Sequence, residues 1–296
     1  MKVINIHDEE YPRKLLKIKN PPQKLYIEGN EKLLNNKSLA IVGSRNCSEY
    51  GIKYTKEFAK QLADKNITIV SGLAIGIDGI AHDTAKECIG NTIAVIGCGL
   101  NHIYPPENEE LFKQIIEKGG CIISEHEPNK EVDMTNFPKR NRIISGLSDA
   151  ILVIEARQKS GSTITGRLGL EEGKSVFCLP RDIGNTKGGG TNELIKRGAK
   201  LVTEARDILK EFGIENIKNN EKENAEEEKN QDELQEEIII PKEYIEIYQL
   251  ISYTPQNIQY FARRSGLKIA EITQKLIMLE LQGYIKSMPG NYYVRT

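Results

Sequence analysis

Residues 136–148 carry the most informative chemistry of the chain: Lys139, Arg140 and Arg142 fall within four positions, with Phe137 beside them and Asn141 between them. Clustered cations next to a ring suit a single-stranded nucleic acid, because charge tracks phosphates while an aromatic face stacks a base for about 1–3 kcal/mol. Pro138 at the entry predicts a helix N-terminus there. The plainer reading is that Phe137 packs in the core and the cations form a solvated face, and composition alone leaves both open. Arg45, within Gly43-Ser44-Arg45, adds a cation that favours an anion site.

Small residues recur where such a site needs them. Gly43 and Ser44, then Ser71 and Gly72, then Gly97 and Gly99, then Gly161, Ser162 and Thr163 each follow a short apolar run. Loops of this composition leave backbone N–H groups and hydroxyls uncrowded, which is how a chain approaches phosphate at helix N-termini. Glycine and serine are also ordinary turn residues. Four such loops on one edge shift the balance towards a phosphate site.

Other chemistries are weaker. The dinucleotide pattern Gly-x-Gly-x-x-Gly is broken by Arg45 and Ser48, and Gly169 to Ser175 has the wrong spacing and the wrong place for a phosphate loop, so it reads as a helix end. Asp78 and His82 share a helical face; Asp78 reads as a helix cap and His82 as a packing or hydrogen-bonding residue, since no nucleophile completes a triad. The strongest enzyme-like signal is Gly188-Gly189-Gly190-Thr191-Asn192-Glu193, similar to the glycine loop of nucleotide phosphoribohydrolases of the lysine-decarboxylase-like family. There the loop would hold a phosphate and Glu193 would act as base. No catalytic set, metal-ligand spacing or cofactor motif rises above these.

The elements that must position these residues alternate. Apolar runs at 39–42, 67–70, 92–96, 121–124, 150–154 and 175–179 are too short for helices, and helical patterns separate them, with Tyr54, Phe58 and Leu62 the clearest. Continuous apolar strands alternating with helices predict an α/β fold, a mostly parallel sheet with helices on both faces. Ligands of such sheets lie beyond the carboxyl ends of the strands. Residues 1–37 form a lead segment packing on the core, 38–213 the sheet domain, 214–240 an acidic flexible linker, and 241–296 a helical module with a closing hairpin. Helix, turn, helix and wing suggest a small winged helix-turn-helix. Its recognition helix offers Glu271, Gln274, Lys275 and Glu280, thin for base readout, so protein contact and auxiliary DNA contact stay equally open.

The chain has 296 residues and a net charge of −1, which alone argues against nucleic acid. Partition reverses this: residues 219–237 carry −7, and residues 1–218 and 241–296 carry +3 each. No apolar run is long enough for a bilayer and an acidic patch at His7–Glu10 stands where a signal peptide needs an apolar stretch, so a soluble, unprocessed protein is expected. Five scattered cysteines fit a reducing cytoplasm better than disulfides or zinc.

Taken together, the chain resembles the bacterial DNA-processing protein A (DprA/Smf) family. The similar elements are Tyr11-Pro12, Pro21-Pro22, Ala40-Ile41-Val42-Gly43-Ser44-Arg45, Ser71-Gly72-Leu73-Ala74 with Gly76-Ile77-Asp78, and Phe137-Pro138 with Arg140-Asn141-Arg142-Ile143-Ile144-Ser145-Gly146, then Gly161-Ser162-Thr163. The resemblance implies an extended Rossmann-like sheet. It further implies sequence-tolerant binding of single-stranded DNA, delivery of that strand to the recombinase RecA in natural transformation, frequent homodimers and no known enzymatic activity. By position it places Gly43, Ser44, Arg45, Ser71, Gly72, Lys139, Arg140, Asn141, Arg142, Gly161, Ser162 and Thr163 around the strand. Phe137 is added on chemistry.

Overall fold

The computed structural model describes residues 1–185, 188–214, 241–252 and 255–295, and the chain divides into two compact units, Met1–Glu215 and Asn216–Thr296. The acidic segment expected at 214–240 lies outside the described residues except for Ile214, whose N–H donates to Leu209 O at 3.0 Å.

In the first unit the lead segment does more than pack on the core. It supplies strands β1 (Lys2–Asn5) and β2 (Lys24–Gly29), while Tyr11, Leu15 and Ile18 between them are buried against the sheet. The strands expected from apolar runs follow: β3 (Ser38–Val42), β4 (Thr68–Ser71), β5 (Thr92–Val95), β6 (Cys121–Ser124), β7 (Ala150–Val153) and β8 (Ser175–Cys178), then a short edge strand β9 (Lys200–Leu201). The sheet order is β1-β2-β6-β5-β4-β3-β7-β8-β9, parallel except for β1–β2 and β2–β6.

Among the described residues six helices connect the strands, α1 (Glu49–Ala63), α2 (Ile77–Ala85), α3 (Glu109–Glu117), α4 (Asn136–Leu147), α5 (Gly161–Glu171) and α6 (Gly189–Lys196), and α7 (Ala205–Glu211) follows β9. Strand residues alternate between the two faces. Leu39 and Ile41 of β3 join Phe58 and Leu62 of α1 and Ala81 of α2 in one cluster, whereas Ala40 and Val42 join Ile143 and Leu147 of α4 and Leu194 of α6 in the other. Each face of the sheet is therefore closed by helices, which is why its parallel strands read as unbroken apolar runs. The helix α5 ends as its sequence predicts, with Gly173 in the left-handed region just past the last turn (φ +70°).

The order reverses between β3 and β7. The chain leaves β3 for α1 on one face and β7 for α5 on the other, so a crevice opens beyond their carboxyl ends.

The second unit holds α8 (Lys242–Leu250), β10 (Gln256–Asn257), α9 (Ile258–Ser265), α10 (Ile269–Leu281), β11 (Ile285–Met288) and β12 (Tyr292–Arg295). Its three-stranded sheet runs β10-β12-β11 and its core gathers Ile247, Phe261, Ile272, Leu276, Leu279 and Ile285. This is a winged helix. The middle helix, which the sequence places at 255–264 with Pro255 at its start, begins later: Gln256 and Asn257 pair with β12, and the Asn257 side chain accepts the Gln259 N–H at 3.0 Å as the cap of α9.

Candidate nucleic-acid interface

Loops after β3, β4 and β7 meet the first turns of α4 at the reversal of strand order, around a cleft of about 320 Å³. Gly43, Ser44 and Arg45 form one wall, Phe137, Arg140 and Asn141 another, and Gly161 and Ser162 at the start of α5 a third. The first N–H groups of a helix have no intrahelical acceptor, so α5 presents donors here. A second cleft of about 270 Å³ adjoins it and shares Arg45, Ala74, Phe137 and Arg140.

The loops brace one another. Ser162 Oγ donates to Gly43 O at 2.7 Å and Asn141 Nδ2 to Gly161 O at 3.2 Å. Gly76 has φ +79°, and a Cβ there would meet the carbonyl oxygens of Ser44 and Arg45 at 2.4 and 2.5 Å. Glycine is the residue this close approach allows.

The cations divide into two kinds. Arg45 is exposed, with Cζ 5.9 Å from the centroid of the Phe137 ring, and Phe137 in turn stacks on Tyr104 with centroids 5.3 Å apart at 28°. Phe137 is half-buried: it packs beside Gly97 and also lines the cleft. Arg140, by contrast, is only 4 % exposed and forms the floor. Its Nη1 donates to Gly72 O at 2.7 Å and to Val95 O, and its Nε to Asn141 Oδ1 at 3.3 Å. Asp78 accepts the Gly72 N–H at 3.1 Å, and a Cβ on Gly72 would lie 2.6 Å from Arg140 Nη2 and 2.7 Å from Asp78 Oδ2. Burial pulls the guanidinium down to about 10 and pushes the Asp78 carboxyl up, and the charge of each opposes the shift of the other.

His82 completes the scaffold. It is fully buried, its Nε2 accepts the Leu73 N–H at 3.2 Å, and its Nδ1 faces Thr92 Oγ1 at 2.7 Å. Burial lowers its pKa to about 3, with the Arg140 charge acting in the same direction. Leu73 sits at φ +57°, held there by His82 and by Asn108 Nδ2, which donates to its carbonyl at 2.9 Å. A left-handed branched residue is strained, and such strain persists where surroundings over-determine it. Asp78 is the second residue of α2, whose cap is Gly76, so it folds back onto the loop and does not cap the helix.

Four sequence-expected residues take other places. Ser71 is fully buried and its Oγ donates to Ile41 O at 2.6 Å, tying β4 to β3. Thr163 is spent on a reciprocal cap with Ser160, and its Oγ1 donates to Ser160 O at 2.7 Å. Arg142 forms a two-pronged bridge to Glu125 at 3.1 and 2.6 Å. Lys139 is exposed but does not line the cleft. Gly72 lines the adjoining cleft. Tyr104 and Arg157 line the clefts without having been singled out; the available signal for Arg157 was a cation four residues past the end of β7.

The glycine run before Glu193 holds no phosphate seat. Gly190 N–H donates to Ala156 O at 2.8 Å, Thr191 Oγ1 donates to Gly188 O at 2.9 Å, and Glu193 pairs on the surface with Arg197 at 2.9 Å. Among the described residues no three His, Cys, Asp or Glu side chains are grouped to hold a metal, and no helix is long and apolar enough to cross a membrane.

The model of the family described as DNA recombination-mediator protein A matches residues 2–213, and that of the DprA winged helix domain matches residues 228–291. Protein Smf of Escherichia coli is 39% identical over 292 residues, covering 98% of this chain and 76% of that protein. DNA processing protein DprA of Bacillus subtilis is 40% identical over 215 residues, 72% of each chain. Among solved structures, DprA from Streptococcus pneumoniae matches with a TM-score of 0.68 and 41% identity over 71% of this chain and 74% of its own. DNA processing protein A from Helicobacter pylori, solved for its single-stranded DNA binding mode, matches with a TM-score of 0.64 and 33% identity over 71% and 95%. The chain therefore belongs to the DprA/Smf family of DNA recombination-mediator proteins.

Proposed function

We propose that this chain binds single-stranded DNA without sequence preference and delivers it to the recombinase RecA in the recombination step of natural transformation, acting as a cytoplasmic homodimer and not as an enzyme. The observation that carries the binding is the exposed guanidinium of Arg45 over the Phe137 ring, at the mouth of a cleft that also receives the N-terminus of α5. A phosphate meets the cation and the helix donors, and a base meets a ring face. The Helicobacter pylori relative, with its single-stranded DNA binding mode, supports the same assignment.

The phosphoribohydrolase-like alternative is not favoured. The Gly188 and Gly190 N–H groups and the Thr191 hydroxyl of its loop are consumed within the fold, and Glu193 lies outside the cleft. Asp78 and His82 brace a loop and leave no acid–base pair facing a substrate.

Fluorescence anisotropy with a labelled single-stranded oligonucleotide tests the reading. Arg45→Ala should weaken binding roughly tenfold at moderate salt, as expected for the loss of one well-placed charged contact. Unchanged affinity would overturn the assignment. Accelerated RecA filament assembly on a strand pre-bound by this chain tests the delivery step, and sedimentation equilibrium tests the dimer.

A further inference from the structure

Arg157 is a cation without a structural task. It is exposed, lines the main cleft, and has no hydrogen bond or ion pair among the described residues. Two cations beside the cleft have been claimed: Arg140 by Gly72 and Val95, Arg142 by Glu125. Long cationic side chains left free on a rigid support are what a phosphate track is made of.

The support is rigid, and the glycine run explains why. Gly190 approaches so closely that a Cβ there would lie 2.5 Å from Arg157 O, 2.7 Å from Ala156 O and 2.6 Å from Thr163 Cγ2. Its N–H holds Ala156 O at 2.8 Å. From the other side Thr163 Oγ1 reaches Gln158 O at 3.3 Å, and a Cβ on Gly189 would lie 3.3 Å from Gln158 Cγ. Residues 156–160 are thus gripped between the start of α6 and the cap of α5. A segment with the composition of a phosphate loop serves as the seat of a different loop.

We infer that Arg157 is a phosphate contact on the far side of the cleft from the Arg45–Phe137 pair, so that a bound strand crosses the cleft and leaves over residues 157–159, where Lys159 offers a second exposed cation. This rests on the single-strand reading above. It assigns the residues that receive the strand after it passes Arg45, and it gives the Gly188–Gly190 run its role as a positioning seat.

The test is a salt titration of binding to a long oligothymidylate by the full chain and its Arg157→Ala, Arg157→Lys and Arg45→Ala variants. Arg157→Ala should weaken binding about three- to tenfold and flatten the log–log salt slope by about 0.7, the value for one phosphate contact on a single strand. Arg157→Lys should restore most of the slope, which a purely structural role would not do. Unaltered affinity and slope for Arg157→Ala, with Arg45→Ala weakened, would overturn this inference and leave the function standing. If Arg45→Ala is also unchanged, the single-strand reading itself falls.

Discussion

An exposed arginine over an aromatic ring occurs in both units of this chain, at almost the same separation. In the first, Arg45 Cζ lies 5.9 Å from the Phe137 centroid; in the second, Arg264 Cζ lies 5.8 Å from that of Tyr260. The settings differ. Arg45 stands at the mouth of a cleft with helix donors opposite it, whereas Arg264 and Tyr260 lie one turn apart on the outer face of α9. The recognition helix beside it, α10, turns Ile277, Met278 and Leu281 to solvent, and its Lys275 lies 5.4 Å from the Tyr244 ring centroid. A winged helix is the better known DNA-binding shape, yet the cleft that brings a cation, a ring and a helix N-terminus together lies in the other unit. Fold name and binding chemistry are separate properties.

The largest expected effect removes the floor of the first setting. Arg140→Ala would leave the carbonyls of Gly72 and Val95 without their donor and Asp78 buried without a nearby positive charge. Losing one partner of a buried charged network costs about 3–5 kcal/mol. Urea unfolding should show the midpoint falling with an unchanged slope, and an unshifted midpoint would mean that Arg140 is a free binding cation like Arg45.

A smaller effect comes from the loop that the floor holds. His82 has its folded pKa near 3 against 6.5 when free, so on acidification the unfolded chain takes up the proton first. The stability this confers is complete above pH 6.5 and is lost as pH falls towards 3, at about 1.4 kcal/mol per pH unit within that window. Going from pH 6.5 to 5 should cost about 2 kcal/mol through His82, a component that His82→Asn lacks. Comparing the two proteins isolates it from Asp78, whose raised carboxyl acts in the opposite sense. Equal pH slopes would show that the imidazole is not held neutral, and the pinning of Leu73 would need another cause.

How much of this was legible beforehand follows the range of the forces involved. The six parallel strands β3 to β8 were readable because burial on both faces leaves unbroken apolar runs, whereas the two-residue β9 at the edge is exposed and left no such run. Strands β1 and β2 were not, because β1 alternates, with Val3 42% exposed and Ile4 1%, and both lie in a segment rich in lysine and proline. At the site, the clustering of Lys139, Arg140 and Arg142 was plain, but which of them is free depends on contacts far apart in the chain: Gly72 and Val95 for Arg140, Glu125 for Arg142. Arg157 belongs to no cluster, and only the convergence of loops marks it.

The smallest expected effect sharpens the opening contrast most. Arg263 and Arg264 occupy the last turn of α9, where cations offset the exposed carbonyls for about 0.3–1 kcal/mol, a stabilising task that needs no DNA. If a cation over a ring were sufficient for binding, replacing both by alanine would weaken single-strand affinity as much as Arg45→Ala does. If the cleft and the α5 N-terminus are what convert that pair into a site, the double variant should bind within about twofold of the parent, since a surface cation with no converging donors contributes little beyond screened attraction. Anisotropy on one oligonucleotide at one salt concentration separates the two outcomes, because the same pairing of residue types is present in both units and only its surroundings differ.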